Sequence, residues 1–525
     1  MQYTQQCHPE QSEGSREHQA GVNEILRFAL NDKNNSNKKK DNKQRYLRIK
    51  SLDLHIKTRK ERMKHIFTIV GIALTLLLTS CGEDRTGEFY ALIEDRMWIE
   101  EVMRENYLWA KDMPVIEKED DYFQEPTTFF KNMLSKNALN GKGDKYSYME
   151  VTKENTKEEK SRSMMLDRTS TYGMEFILTN DPTGTTAHTF ARVLYVLPDS
   201  PAEKAGIQRG DWISTINQDR ITTDNYKQLI QGGTVSLKRN QLVPTQNGLV
   251  WQVKDSLNVS PSVPMEINPF LASMVYEVNG QKIAYLVYNE FATGPNNEGT
   301  ESVYDEQMKQ LFTQFKSQSP DAFILDLRYN NGGFLQCAQA LGSLLAPASA
   351  LGKDFVNLTF NEQTSPQIVR YPFNPDFASA NLNLSKVYIL TGNQTASASE
   401  AVINGLIPYM GAENVVLIGT KTEGKNVAMK SFKNETHGLT LYPVIAFVSN
   451  ANNEGDYSEG FRPHYELDEN KLSNWYPLGD PEEYLLKNTL SLITTGSMPD
   501  LSTPGSGEEN QVIASSITPK GIRIK

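Results

Sequence analysis

Apolar positions recur at helical spacing from residue 95 to about 165: Met97, Trp98, Ile99, Val102, Met103 and Tyr107 to Trp109, then Phe129, Phe130, Met133 and Leu134. Charged residues fill the positions between, and the pattern predicts a small helical module over 90–168. From 169 to 262 the period shortens. Met174–Leu178, Ala191–Val196, Trp212–Ile216 and Thr234–Leu237 read as strands. Between them, Pro201 suits the first turn of a short helix and Gly206 its end. Over 270–495 strands and helices alternate: strands at 282–288, 322–327, 386–391 and 415–419, helices at 304–315, 334–345 and 397–407. Continuous apolar strands alternating with helices predict a largely parallel sheet covered on both faces. After 495 Ser, Pro and Gly accumulate, and 496–525 reads as a flexible tail.

The start of the chain follows other rules. Residues 1–62 are polar, with a Lys38–Lys40 run and no sustained periodicity, so they read as disordered. Met63-Lys64-His65 then leads into an apolar stretch, Ile66 to Leu78, and into Thr79-Ser80-Cys81. That stretch falls short of the ~20 residues a spanning helix needs and has signal-peptide length. Leu78-Thr79-Ser80-Cys81 resembles the lipobox of bacterial lipoproteins. The resemblance implies a signal peptide over 63–81, lipid on Cys81, a start at Met63 with 1–62 as mis-assigned upstream sequence, and a lipid-anchored place in the cell envelope, at the outer membrane.

Composition narrows the functions. A chain of 525 residues, 38% hydrophobic, has material for several cores. Net charge is −10, which argues against nucleic acid as a partner. Three cysteines (Cys7, Cys81, Cys337) fit neither a disulfide framework nor a zinc site, and no metal or cofactor is implied. Cys337 reads as a buried small apolar residue.

Two strand-to-helix turns carry candidate chemistry. In Asp326-Leu327-Arg328-Tyr329-Asn330-Asn331-Gly332-Gly333, paired glycines before a helix can aim backbone N–H groups at an oxyanion. In Thr395-Ala396-Ser397-Ala398-Ser399-Glu400, a serine at a helix start can present its hydroxyl at a sheet edge. A serine needs a base, and the histidines form no triad motif. Lys425, in Thr420-Lys421-Thr422-Glu423-Gly424-Lys425, follows the next strand and returns to the same edge. A lysine serves as a base only if burial lowers its pKa by several units.

These motifs, in this order, resemble peptidase family S41, the carboxyl-terminal processing (tail-specific) proteases. "SPAEKAGIQRGDWISTIN", at Ser200–Asn217, likewise resembles a PDZ domain. The resemblance implies a ClpP/crotonase-like α/β catalytic core preceded by a PDZ domain and a helical module. Carried onto this sequence, it implies Ser397 as nucleophile, Lys425 as base and later acid, and an oxyanion site from the N–H of Ala398 with Gly332 or Gly333. Tyr172, Gly173, Met174 and Glu175 become a carboxylate-binding loop facing a groove helix at 224–230, with polypeptides as substrates. Three departures stand out. Glu175 breaks the all-apolar pattern of such loops. The serine and lysine stand a few residues further apart than is usual, with the extra length around 406–413. Met429 holds the place where many members carry a glutamine that orients the lysine. That absence motivates an alternative, a weakly active or inactive peptide-binding lipoprotein on the same fold. A third reading is an esterase pairing Ser397 with His437 or His464.

Overall fold

The computed structural model describes residues 86–524 except 118, 152–169, 247, 267, 296–298, 473, 500–511 and 518–521. The signal peptide and Cys81 lie outside the described residues.

The helical module contains α1 (Thr86–Asn106) and α2 (Pro126–Met133). Its last segment is not helical. Tyr148–Val151 forms β1, which pairs antiparallel with the strand at Leu439–Tyr442 of the α/β region. Among the described residues the module shares its core: Met103, Tyr107, Phe129 and Phe130 pack with Val427, Met429, Leu441 and Val444. Local periodicity identified the helices, but only this shared burial shows that they are part of one body with the core.

The PDZ region is built from β2 (Met174–Asn180), β3 (Thr189–Val196), β4 (Trp212–Ile216), β5 (Val235–Thr245) and β6 (Gly248–Val259). The expected helix at 224–230 is only a 3-10 turn, Tyr226–Leu229. The long β5–β6 hairpin extends beyond the expected strand.

The α/β region begins with β7 (Phe270–Val278) and β8 (Gln281–Tyr288), followed by α3 (Val303–Gln318), β9 (Ala322–Asp326) and α4 (Leu335–Leu345). Next come β10 (Asp354–Phe360), β11 (Ile368–Pro372), β12 (Val387–Thr391), α5 (Ala398–Met410) and β13 (Val415–Gly419). β14 (Val427–Met429), β15 (Phe432–Asn434), β16 (Leu439–Tyr442), β17 (Val444–Ser449), β18 (Tyr465–Glu466) and α6 (Tyr484–Thr495) complete it. The main sheet runs β7-β8-β9-β12-β13-β18, parallel from β8 onward. Side chains alternate along β8: Ala284, Leu286 and Tyr288 face α3, α4 and α5, whereas Ile283, Tyr285 and Val287 face α6. Both faces are therefore covered, as the continuous apolar strands predict.

Two further findings differ from expectation. The extra length near 406–413 is helix rather than loop, because α5 continues through Pro408 to Met410. The expected flexible tail also contains ordered strands. Val512–Ser515 (β19) pairs antiparallel with β2, and Ile522–Arg523 (β20) pairs parallel with β14. Composition alone suggested a tail, but a short apolar segment becomes a strand where a sheet edge supplies its hydrogen bonds.

Candidate active site

β12 ends at Thr391, and α5 begins seven residues later at Ala398. Ser397, the residue before the helix, has φ 61° and ψ −111°, a conformation costing roughly 1–3 kcal/mol for a side-chain-bearing residue. Neighbours hold it there. Thr395 Oγ1 donates to the Leu327 carbonyl (2.7 Å), and Ala396 N–H donates to that of Asn330 (3.1 Å). Ser397 is fully buried and its Oγ has no hydrogen-bond partner among the described residues. The neighbouring Ser399 is already committed, its Oγ donating to the Asn330 carbonyl at 2.9 Å.

Glu400 organises the surroundings. It is fully buried one turn into α5. Its Oε2 accepts from the N–H of Ser397 (2.8 Å) and from that of Lys425 (2.7 Å). Its Oε1 accepts from Thr422 Oγ1 (2.6 Å) and Gly424 N–H (2.7 Å). One carboxylate oxygen thus joins the backbones of residues 397 and 425. Burial pushes the Glu400 carboxyl up to about 7, against four donors that favour its ionised form. The sequence carried a signal for this residue: an acid three positions after a serine at a helix start is a capping pattern.

Lys425 sits in the turn between β13 and β14 and is 2% exposed. Burial pushes its amine down to about 8, opposed by the carboxylates of Asp144, Glu423 and Glu400. Its Nζ lies 4.5 Å from the ring centroid of Tyr146, a residue of the helical module. Nothing in the sequence pointed to Tyr146. Met429, in the expected glutamine position, faces away into the apolar cluster with Met103 and Phe130. The preceding Gly424 has φ 94°, and a Cβ there would lie 2.3 Å from the Ser458 carbonyl oxygen, so the turn requires glycine.

Of the oxyanion candidates, Gly332 donates its N–H to Asn330 Oδ1 (2.9 Å). The N–H groups of Gly333 and Ala398 have no acceptor among the described residues. The glycine turn rests on a buried ion network. Arg328 meets Asp326 (2.8 Å), Glu469 (2.7 Å) and Glu483 (2.7 Å). This accounts for the Asp-Leu-Arg that precedes the glycines. The histidines are engaged elsewhere: His437 Nδ1 lies 2.6 Å from Asp95 and His464 Nδ1 accepts from Leu417 N–H. Cys337 is fully buried.

In the PDZ loop, Tyr172 N–H donates to the Ile230 carbonyl (3.1 Å) and Gly173 N–H to Thr171 Oγ1 (2.9 Å). Two of the donors expected to hold a terminal carboxylate are therefore engaged within the domain. Glu175 instead accepts a hydrogen bond from Ser516 Oγ.

Fold and site together bring a buried serine and a buried lysine to one edge of a parallel sheet, beside a PDZ region. Residues 282–467 match the peptidase family S41 model, 96–148 the peptidase S41 N-terminal domain, and 192–238 a PDZ domain. The crystal structure of a chain described as an S41 protease from Bacteroides fragilis superposes with TM-score 0.64 at 35% identity, covering 76% of this chain and 97% of that one. Carboxyl-terminal-processing proteases of Picosynechococcus and Synechocystis are 28% and 24% identical, over 46% and 58% of this chain. Those matches span 52% and 65% of the relatives' own lengths. The chain belongs to peptidase family S41.

Proposed function

We propose that this chain is a serine endopeptidase using a Ser397–Lys425 dyad on polypeptides recruited through the PDZ region. The observation that carries the reading is the joint one: Lys425 is buried with its amine pushed down to about 8, and its backbone shares Glu400 Oε2 with that of Ser397. Neutral Nζ takes the Ser397 hydroxyl proton as Oγ attacks a peptide carbonyl carbon. The developing oxyanion is met by the N–H groups of Ala398 and Gly333. The C–N bond then breaks, and the ammonium returns its proton to the leaving amine. Water, deprotonated by the same lysine, releases the acyl group from Ser397. The expected test result is cleavage of an unfolded protein by purified 82–525, mapped by mass spectrometry, with none by the Lys425→Ala or Ser397→Ala variants. Equal cutting by the Lys425 variant would refute the dyad.

The anchor belongs to this proposal too. Lipid on Cys81 would hold the enzyme at the cell envelope, at the outer membrane. A Cys81→Ser chain should lose incorporation of labelled fatty acid and leave the membrane fraction. Unchanged fractionation would remove the anchor from the reading.

A further inference from the structure

The edge of β2 is where a PDZ region takes an added strand, and here it is filled. The filling segment belongs to the chain itself. Residues 512–515 run antiparallel to β2, with Val512 opposite Thr179, Ala514 opposite Leu178 and Ser515 opposite Ile177. Ser516 continues the ladder: its N–H donates to the Phe176 carbonyl (2.9 Å), and its Oγ accepts from Phe176 N–H (2.8 Å). The same hydroxyl donates to Glu175 Oε2. Ala514 packs on the cluster that holds Phe176, the same cluster on which Tyr226 and Ile230, at the 3-10 turn where a groove helix was expected, also pack. Val512 and Ile517 pack on a second cluster with Ile177 and Tyr329.

The chain then meets the candidate active site. Ile522 is fully buried, Arg523 N–H donates to the Gly333 carbonyl (2.9 Å) and Ile524 N–H to that of Met429 (3.2 Å). An extended stretch therefore lies between the oxyanion glycine and the strand that follows Lys425. Its hydrogen bonds are the main-chain kind that any polypeptide strand could make there.

We propose that the groove beside β2 recognises an internal, extended polypeptide segment with a residue whose hydroxyl reaches the Glu175 carboxylate, and that residues 512–517 are the resident occupant an incoming polypeptide displaces. This deepens, and rests on, the reading of the PDZ region as a recruiter of polypeptides. It reassigns the ligand from a chain end to an internal segment, on three grounds. The occupant continues past Ile517, two loop N–H groups are turned inward, and Glu175 would repel a terminal carboxylate at close range.

The test reads binding, so it does not depend on turnover. All chains carry Ser397→Ala. The probe is a fluorescein-labelled peptide of residues 509–519 with both ends blocked, followed by anisotropy. The full chain should bind it at least about tenfold more weakly than a full chain also carrying Ala514→Asp, because a tethered occupant competes at millimolar effective concentration. A chain ending at Pro499 provides the same comparison should Ala514→Asp fail to fold. A Ser516→Ala probe should bind about tenfold more weakly, the loss expected for one hydrogen bond to a charged group. Equal affinity of resident and vacated grooves, or indifference to Ser516→Ala, overturns the proposal. Specific binding to a protein that hydrolyses nothing when Ser397 is restored would sink the peptidase reading alone.

Discussion

An amine that is to act as a base must be neutral at working pH, and in Lys425 burial supplies the shift while nearby carboxylates resist it. Two outcomes follow at the residue scale. Because the active form is deprotonated, kcat/KM should rise about tenfold per pH unit below about 8 and level off above it. A flat profile from pH 6 to 9 would remove Lys425 from the chemistry. Stability moves by linkage. The folded-state amine, at about 8, lies below its unfolded value. Between about 8 and 10.5 the unfolded chain holds a proton the folded one lacks, so stability rises with pH across that window. Below 8 the full penalty applies, about 3 kcal/mol for such a shift. Lys425→Met should therefore raise stability at pH 7 by up to about 3 kcal/mol in urea unfolding, with the gain fading by pH 10.5. A destabilised variant would mean that the lysine is held by favourable contacts instead.

At the scale of elements, the two turns are held by different means. The Ser397 turn is held by Glu400 and by bonds to the neighbouring glycine turn. The glycine turn is held by Arg328, which ties the end of β9 to Glu483 at the start of α6. Arg328, Asp326 and Glu483 are each 2% exposed or less. Arg328→Met would leave buried carboxylates without their cation and should cost about 3–5 kcal/mol by urea unfolding. Arg328→Lys should recover only part, since an ammonium cannot match the guanidinium fork. A loss under about 1 kcal/mol would show that the network does not hold the turn. β9 and α5 were legible from periodicity, because burial on one or both faces leaves a local pattern; α6 was not expected. Which residue braces which turn was not, because Arg328 and Glu483 stand 155 positions apart.

At the scale of the molecule, the PDZ region and the core meet through Glu469, Trp475 and Tyr476, among other residues. Trp475 lies under two guanidinium groups of the PDZ region, 3.7 Å from Arg192 and 4.4 Å from Arg209. Arg209 also reaches Glu469 (2.6 Å) and Tyr329 (2.5 Å), so the joint runs directly into the network beneath the glycine turn. Trp475→Ala should remove about 2 kcal/mol of cation–π stabilisation and split the calorimetric unfolding into two transitions. A single unshifted transition would show that other contacts join the regions.

What the sequence by itself determined was whatever local chemistry encodes. It specified the first strands of the PDZ region, the alternating strands and helices from β8 to β13, the serine at a helix start, the paired glycines and the lysine after the next strand. Tertiary structure alone decided the rest. Glu400 links two segments because they converge on one oxygen. Met429 turns into a core shared with α1 and α2, while Tyr146 covers the lysine. A stretch read as a tail becomes two strands because two sheet edges accept it. The physical reason is the same in each case: desolvation and edge pairing are sums over atoms far apart in the chain, which no window of sequence contains.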